Sequence, residues 1–164
     1  RIILLAERFT DVLFIAVGSN KQQQEYFKNL SDSLGIKNII WVRFIPQSEV
    51  MNFLYAADVL LMLFTWRVPT MHYCSPLKLF EYMAAGRVIV GEAFPTITEV
   101  LEHGKTAFLA KPDDFDSLCE NLHQALQSDR ASMMAEKARE EAFYNYTWEK
   151  RAKGILNSIE GMLN

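Results

Sequence analysis

The sequence predicts an α/β domain built on a doubly wound parallel sheet with helices on both faces. Short apolar runs rich in Val, Ile, Leu and Phe alternate with longer segments of helical period. Most of these runs are continuous, as strands buried on both faces of a parallel sheet require. Strict alternation with short connections implies right-handed crossovers between the strands. We expect strands at residues 12–17, 39–45, 59–64, 88–90 and 107–110.

Helical segments separate these strands and follow the last of them. The expected helices are residues 1–9, 21–34, 48–57, 76–85, 96–103, 115–126, 131–142 and 148–163. Residues 65–74 contain Pro69 and lack periodicity, so the sequence predicts a long loop there. This loop and the turn at residues 18–20 both follow strands. They therefore lie at the carboxyl edge of the sheet, where such folds bind their ligands.

Composition excludes several classes of protein. The 164 residues include 17 Lys and Arg against 20 Asp and Glu, a net charge of -3, so no basic field exists to bind nucleic acid. The longest uncharged apolar run, residues 59–66, is too short to span a membrane, and no signal peptide opens the chain, which predicts a cytoplasmic protein. Cys74 and Cys119 are too few for a disulfide framework, and no metal-ligand spacing is present.

The segment from Ser75 to Gly86 carries the strongest functional signal. Ser75 suits a helix N-cap, Pro76 the first helical position, and Gly86 a left-handed stop. Ser75, Lys78 and Glu81 lie on one face of an otherwise apolar helix. Either Lys78 and Glu81 form a surface ion pair, which spacing alone slightly favours, or the helix N-terminus and Lys78 bind phosphate while Glu81 accepts hydrogen bonds from a ribose.

Residues 75–90, SPLKLFEYMAAGRVIV, resemble the signature of the group 1 (family 4) retaining glycosyltransferases of GT-B architecture. In that family the signature lies in the carboxyl-terminal, nucleotide-sugar-binding domain. Further stretches resemble the family in the same order along the chain: residues 17–18, 41–46, 56–59, 99–101, 103–109 and 146–148. The resemblance favours the phosphate-binding interpretation of the helix. It implies that the chain is one Rossmann-like half of a GT-B architecture.

The resemblance also implies roles for individual residues. Glu81 would bind the ribose of a nucleoside diphosphate, the backbone of residues 75–77 its phosphates, and Lys78 would be a phosphate ligand or a helper of Glu81. Residues 42–45 would border the nucleobase, and Gly18 would let the first turn approach the ligand. Lys78 and Glu81 are the expected catalytic residues. The expected nucleotide-binding residues are Gly18, Val42, Phe44, Ser75, Pro76, Leu77, Lys78 and Glu81.

As a whole, the resemblance implies transfer of a sugar of the hexose class from a UDP-sugar or GDP-sugar, without a metal, to a glycan or lipid-linked acceptor. This activity would serve cell-envelope polysaccharide or glycolipid biosynthesis at the cytoplasmic, inner surface of the membrane, with peripheral membrane contact. An N-terminal acceptor-binding domain of the same polypeptide would complete the active site. The amphipathic helix at residues 147–164 would reach toward that domain.

Two features limit this interpretation. The chain begins in a helical pattern with no cap before Arg1. Residues 1–164 are therefore expected to form a single domain that lacks its first strand and is inactive alone. Tyr73 stands eight residues before Glu81, where the family has a glutamate that contacts the donor sugar. The alternative function is accordingly a non-catalytic Rossmann-like interaction module derived from such an enzyme.

Overall fold

The computed structural model describes residues 1–163, which divide into two compact units between Phe53 and Leu54. The first unit contains α1, β1, α2 and β2, and α3 runs across the division. These elements are α1 (Ile2–Arg8), β1 (Phe14–Ser19), α2 (Lys21–Ser33), β2 (Ile39–Arg43) and α3 (Gln47–Ala56). β1 and β2 pair in parallel, as predicted, with Phe14 opposite Ile39 and Val17 opposite Val42.

Packing in the first unit centres on Trp41 of β2. Its ring stacks on Phe27 of α2 at 5.0 Å between centroids, and its indole N–H donates to the Ser31 hydroxyl at 3.1 Å. At the start of β2, the side-chain amide of Asn38 donates to three carbonyls at the end of α1 and the turn that follows it. These carbonyls belong to Ala6, Phe9 and Val12, each at 2.9 Å.

The second unit holds a three-stranded parallel sheet in the order β3-β4-β5. Its elements are β3 (Val59–Met62), a 3₁₀ turn (Pro69–His72), α4 (Leu77–Ala85), β4 (Val88–Glu92), α5 (Pro95–Thr98), β5 (Phe108–Ala110), α6 (Phe115–Gln127), α7 (Ala131–Asn145) and α8 (Trp148–Leu163). α4 contributes Leu79 and Met83 to the core, and the central strand β4 contributes Ile89, all of them fully buried. The continuous apolar runs of β4 and β5 thus form strands that are covered on both faces.

The predicted helix at residues 96–103 is wrong in length, because α5 ends at Thr98. Helical hydrogen bonding continues only to the amide of Leu101, which donates to Ile97 at 2.8 Å. The next amide, that of Glu102, donates instead to the hydroxyl of Thr106 at 2.8 Å. A threonine side chain thus captures the backbone and ends the helix. The loop predicted at residues 65–74 contains a 3₁₀ turn that begins at Pro69.

The apolar stripe of α8 is exposed. Five large apolar residues of this helix expose at least half of their surface: Trp148, Ile155, Leu156, Ile159 and Met162. Among residues 1–163, no helix is long and apolar enough to cross a membrane.

Candidate functional site

The N-terminus of α4 begins one residue later than the sequence predicts. Pro76, not Ser75, is the N-cap, and no side chain caps the helix. The prediction that Ser75 caps the helix and Pro76 opens it is therefore wrong. The reason is the extended ψ of 119° at Pro76, which makes Leu77 the first helical residue. Because proline has no N–H, it cannot contribute an amide to this helix end.

The first amides of α4 lack an acceptor within the described part of the chain. The amide of Leu79 donates to the Pro76 carbonyl at 3.0 Å. The amides of Leu77 and Lys78 precede it and have no such partner among residues 1–163. Helix N-termini with uncapped amides carry partial positive charge and attract anions.

At its other end, α4 stops as predicted. Gly86 adopts the left-handed conformation, with φ 63° and ψ 36°, and its amide donates to the Met83 carbonyl at 3.0 Å. A Cβ added to Gly86 would lie 2.9 Å from the Cδ of Arg139 on α7. Both the backbone conformation and the close approach of α7 therefore favour glycine here.

Lys78 projects from the first turn of α4 and lies over an aromatic ring. Its Nζ is 4.8 Å from the centroid of Phe64, in the loop after β3. The residue is exposed, yet burial of its ammonium lowers the pKa of Lys78 below its ordinary value. The ammonium thus takes a cation–π position over Phe64.

Glu81 lies one turn after Lys78 and is half-buried. Its neighbour Tyr82 is half-buried, and this burial, followed by the charge of Glu81, raises the pKa of the Tyr82 phenol. Ser75 and Leu77 are exposed next to the start of the helix, and Pro76 is half-buried between them. The structure therefore places all five predicted residues of this segment together on and beside the first turns of α4.

The loop at residues 65–74 forms an aromatic wall. The ring of Trp66 stacks on His72 at 4.9 Å and meets Phe94 edge-on at 4.5 Å between centroids. The wall is fixed below by Thr96, whose hydroxyl donates to the carbonyl of the fully buried Met71 at 3.1 Å. Tyr73, which follows His72, exposes 74% of its surface.

Sequence reasoning missed two acidic residues at the carboxyl edge of this sheet, Glu92 and Asp113, which are joined by a hydrogen bond from the Asp113 backbone amide to the Glu92 carboxylate. Glu92, the last residue of β4, is completely buried and accepts from the backbone amides of Phe64 at 3.3 Å and Asp113 at 2.9 Å. Asp113 in turn accepts from the amide of Trp66 at 3.0 Å. The available signal was an acidic residue that ends an apolar strand, because such a residue needs polar partners when buried.

The remaining predicted residues belong to the first unit. Gly18 has φ 108° and is exposed, with open space where a Cβ would lie. Beside it, the Ser19 hydroxyl donates to the Val42 carbonyl at 3.2 Å, and the Phe44 amide donates to the Ser19 carbonyl at 2.9 Å. Phe44 exposes 80% of its surface. Gly18, Val42 and Phe44 thus lie together at the carboxyl ends of β1 and β2.

The described residues were compared with the side-chain clusters that bind metal ions. Across residues 1–163, no group of three or more His, Cys, Asp and Glu side chains is arranged to hold a metal ion.

Comparison with known proteins identifies the family. Residues 2–141 match the family model described as glycosyl transferases group 1. The chain is 24% identical to spore coat protein SA of Bacillus subtilis, over 95% of the chain and 42% of that protein. It is 29% identical to a lipopolysaccharide 1,2-N-acetylglucosaminetransferase of Salmonella typhimurium, over 64% of the chain and 26% of that protein.

A solved structure supports the fold. The Anabaena HepE protein, determined in complex with UDP-glucose, superposes with a TM-score of 0.75 at 19% identity, over 98% of this chain and 45% of HepE. The chain spans less than half the length of the proteins it matches here. The family predicted from the signature of residues 75–90 is confirmed, as is the Rossmann-like α/β fold. The chain belongs to the group 1 glycosyl transferases.

Proposed function

We propose that this chain is the nucleotide-sugar-binding, carboxyl-terminal domain of a glycosyltransferase. The observation that carries the proposal is the start of α4. There, the amides of Leu77 and Lys78 have no acceptor in the described chain, and the Lys78 ammonium is partly desolvated over Phe64. An anion placed here would meet the helix dipole, two N–H donors and a full positive charge together.

Lys78 is suited to a diphosphate because its ammonium lies at the first turn of the helix, where burial disfavours its charge. This burial lowers its pKa, although the residue as a whole is exposed. A phosphate beside the ammonium would favour the charged form. In the transfer reaction, charge builds on the departing diphosphate, and preorganised donors stabilise it without reorganisation. This is the proposed role of Lys78, and it would serve in place of a metal ion.

Glu81 is the proposed ribose ligand. It lies on the same helix one turn beyond Lys78 and is half-buried. A carboxylate only accepts hydrogen bonds when ionised, and two adjacent ribose hydroxyls are matched donors. In the first unit, Gly18, Val42 and Phe44 are the proposed surroundings of the nucleobase. The bare turn at Gly18 and the exposed ring of Phe44 offer space and an apolar surface.

The donor is proposed to be a UDP-sugar, with a GDP-sugar as the alternative. The complex of HepE with UDP-glucose supports the first choice, because that protein shares this fold. Transfer is proposed to proceed with retention to a glycan or lipid-linked acceptor. The Salmonella relative, named for a transferase acting on lipopolysaccharide, and a Bacillus subtilis relative, named as a putative teichuronic acid biosynthesis glycosyltransferase, support this acceptor class.

The proposed enzyme includes a second domain in addition to this chain. The acceptor is proposed to bind an N-terminal domain of the same polypeptide, and the exposed apolar stripe of α8 supports a contact beyond this unit. That enzyme is proposed to work in the cytoplasm, in peripheral contact with the membrane that carries its acceptor.

The test is donor hydrolysis or transfer by a polypeptide that includes this chain. Release of UDP and GDP is measured across a panel of nucleotide sugars. Lys78→Ala and Glu81→Ala should each lower the rate by about tenfold to a hundredfold, the effect of removing a charge-assisted hydrogen bond. Lys105→Ala is the matched control, because Lys105 is an exposed lysine paired with Glu102. Nucleotide binding without turnover of any donor would instead support the non-catalytic module.

A further inference from the structure

We propose that Glu92 is a positioning residue that sets the location of Lys78 through Phe64 and the location of Trp66 through Asp113. The inference rests on the proposed function, because the location of Lys78 matters to a ligand only if an anion binds at the start of α4. Glu92 itself lies at the end of β4 and is completely buried.

The two carboxylate oxygens of Glu92 are directed at two different loops. Oε2 accepts from the amide of Phe64, two residues after the end of β3, at 3.3 Å. Oε1 accepts from the amide of Asp113, three residues after the end of β5, at 2.9 Å. One side chain on the central strand thus holds the loops that leave both neighbouring strands.

The first branch leads to Lys78. Its Nζ lies 4.8 Å from the centroid of the same Phe64 whose amide Glu92 binds. The hydrogen bond to the Phe64 amide fixes the backbone position from which the Phe64 ring extends. The Lys78 ammonium lies over that ring. A displacement of Phe64 would therefore change both the position of Lys78 and the desolvation of its charge.

The second branch leads to the aromatic wall. Asp113 adopts φ 58°, which is unusual for a residue with a side chain, and its amide is held by Glu92. In this conformation its Oδ2 accepts from the amide of Trp66 at 3.0 Å and the hydroxyl of Thr65 at 3.4 Å. Glu92 thus reaches Trp66, and through it His72, by way of one intermediate residue.

A role in core packing alone does not account for this residue. Burying a carboxylate is costly unless hydrogen bonds compensate for the water it loses, whereas an apolar residue at the end of β4 would fill the same space. What the carboxylate adds is a pair of acceptors in fixed geometry. Both reach amides in loops beside the candidate site.

The test compares Glu92→Gln with the unaltered chain by NMR. Glutamine keeps the shape but presents an NH₂ group to one of the two amides, so one loop loses its acceptor. We expect the pKa of Lys78, followed through its side-chain ¹³Cε, to rise toward its ordinary value. We also expect faster hydrogen exchange at Phe64 and Asp113. The Kd for UDP should weaken by about fivefold to tenfold, as for loss of one hydrogen bond.

Leu122→Ala serves as the control for a loss of stability. Leu122 is buried in α6 and is not a partner in any of the hydrogen bonds of Glu92 and Asp113 described above. It should lower the unfolding midpoint while leaving the pKa of Lys78 and the Kd for UDP unchanged. The inference is overturned if Glu92→Gln leaves both quantities unchanged, or if Leu122→Ala alters them equally. If the unaltered chain binds no UDP, the proposed function fails, and the pKa of Lys78 and the amide exchange alone decide the role of Glu92.

Discussion

The ammonium of Lys78 rests on the ring of Phe64, with 4.8 Å between Nζ and the ring centroid. This arrangement joins the first turn of α4 to the loop after β3. It keeps a positive charge beside the helix N-terminus. The contact connects the fold to the proposed chemistry, since a charge held in this way is available to an incoming diphosphate.

The lowered pKa of Lys78 predicts how stability depends on pH. Lys78 has a lower pKa in the folded chain than in the unfolded chain. Between these two values the folded chain binds fewer protons, so the contribution of Lys78 to the unfolding free energy rises with pH across that window. Lys78→Met should therefore stabilise the chain at neutral pH, and its advantage should shrink under alkaline conditions. Urea unfolding of both chains at several pH values measures the difference.

Lys105 serves as a control because its pKa is shifted in the opposite direction from that of Lys78. The hydrogen bond that the Lys105 ammonium donates to Glu102, together with the negative charge of Glu102, raises the pKa of Lys105. The stability it contributes is present below its unfolded pKa and is lost as pH rises through its folded pKa. Lys105→Met should thus cost stability at neutral pH and nothing in strong alkali. A parallel trend for Lys78→Met and Lys105→Met would contradict the account of Lys78.

Loss of the Glu92 carboxylate should destabilise the chain. Glu92→Gln leaves a part-buried backbone amide facing another donor inside the fold, which costs about 1–3 kcal/mol. The comparison residue is the exposed Glu99, where Glu99→Gln should change the unfolding free energy by less than about 0.5 kcal/mol. Chemical denaturation measures both variants, and equal stabilities would show that the carboxylate is not needed to hold the loops.

Gly86 should tolerate a side chain poorly. Gly86→Ala forces alanine into the left-handed region at a cost of about 1–2 kcal/mol, and its Cβ would also displace the Arg139 side chain. Gly154, in the middle of α8 with open space around it, is the matched site. There, Gly154→Ala should increase helix content in circular dichroism. Unchanged thermal stability of Gly86→Ala would argue against the observed end of α4.

Asn121 offers a site for stabilisation. It is buried in α6, and its Oδ1 has no hydrogen-bond partner among the described residues, while its amide donates to the Ser117 carbonyl at 2.9 Å. Asn121→Leu removes an unsatisfied acceptor and keeps the number and branching of the side-chain heavy atoms, so we expect a gain of about 1 kcal/mol. Asn121→Ala, which also removes the acceptor but leaves a cavity, should be less stable than Asn121→Leu. A loss of stability in Asn121→Leu relative to the unaltered chain would contradict the interpretation that Oδ1 is unsatisfied.

Much of the fold was predictable because its determinants are local. The run at residues 88–90 predicted β4, since a strand covered on both faces has no polar face to reveal. The stop at Gly86 was likewise predictable, because few residues other than glycine adopt its conformation. The signature of residues 75–90 led to the correct family.

The wrong or missed predictions concern features that depend on a backbone angle or on residues distant in the sequence. Proline can occupy either the N-cap or the first helical position, and the choice at Pro76 depends on its ψ angle, which the sequence does not reveal. The short α5 depends on a hydroxyl four residues beyond Glu102. The contacts of Glu92 join residues 28 and 21 positions away, so no local pattern predicts them.

The central claim is that the start of α4 binds the phosphates of a nucleoside diphosphate. The most direct measurement is the amide spectrum of the ¹⁵N-labelled chain during titration with UDP, UMP and uridine to millimolar concentration. We expect the Leu77 and Lys78 amides to shift most with UDP, less with UMP and not with uridine, and we expect Lys78→Met to weaken the UDP response. Two results would contradict the claim. In the first, UDP saturates the chain but the amide resonances of Leu77 and Lys78 do not shift. In the second, UDP does not bind.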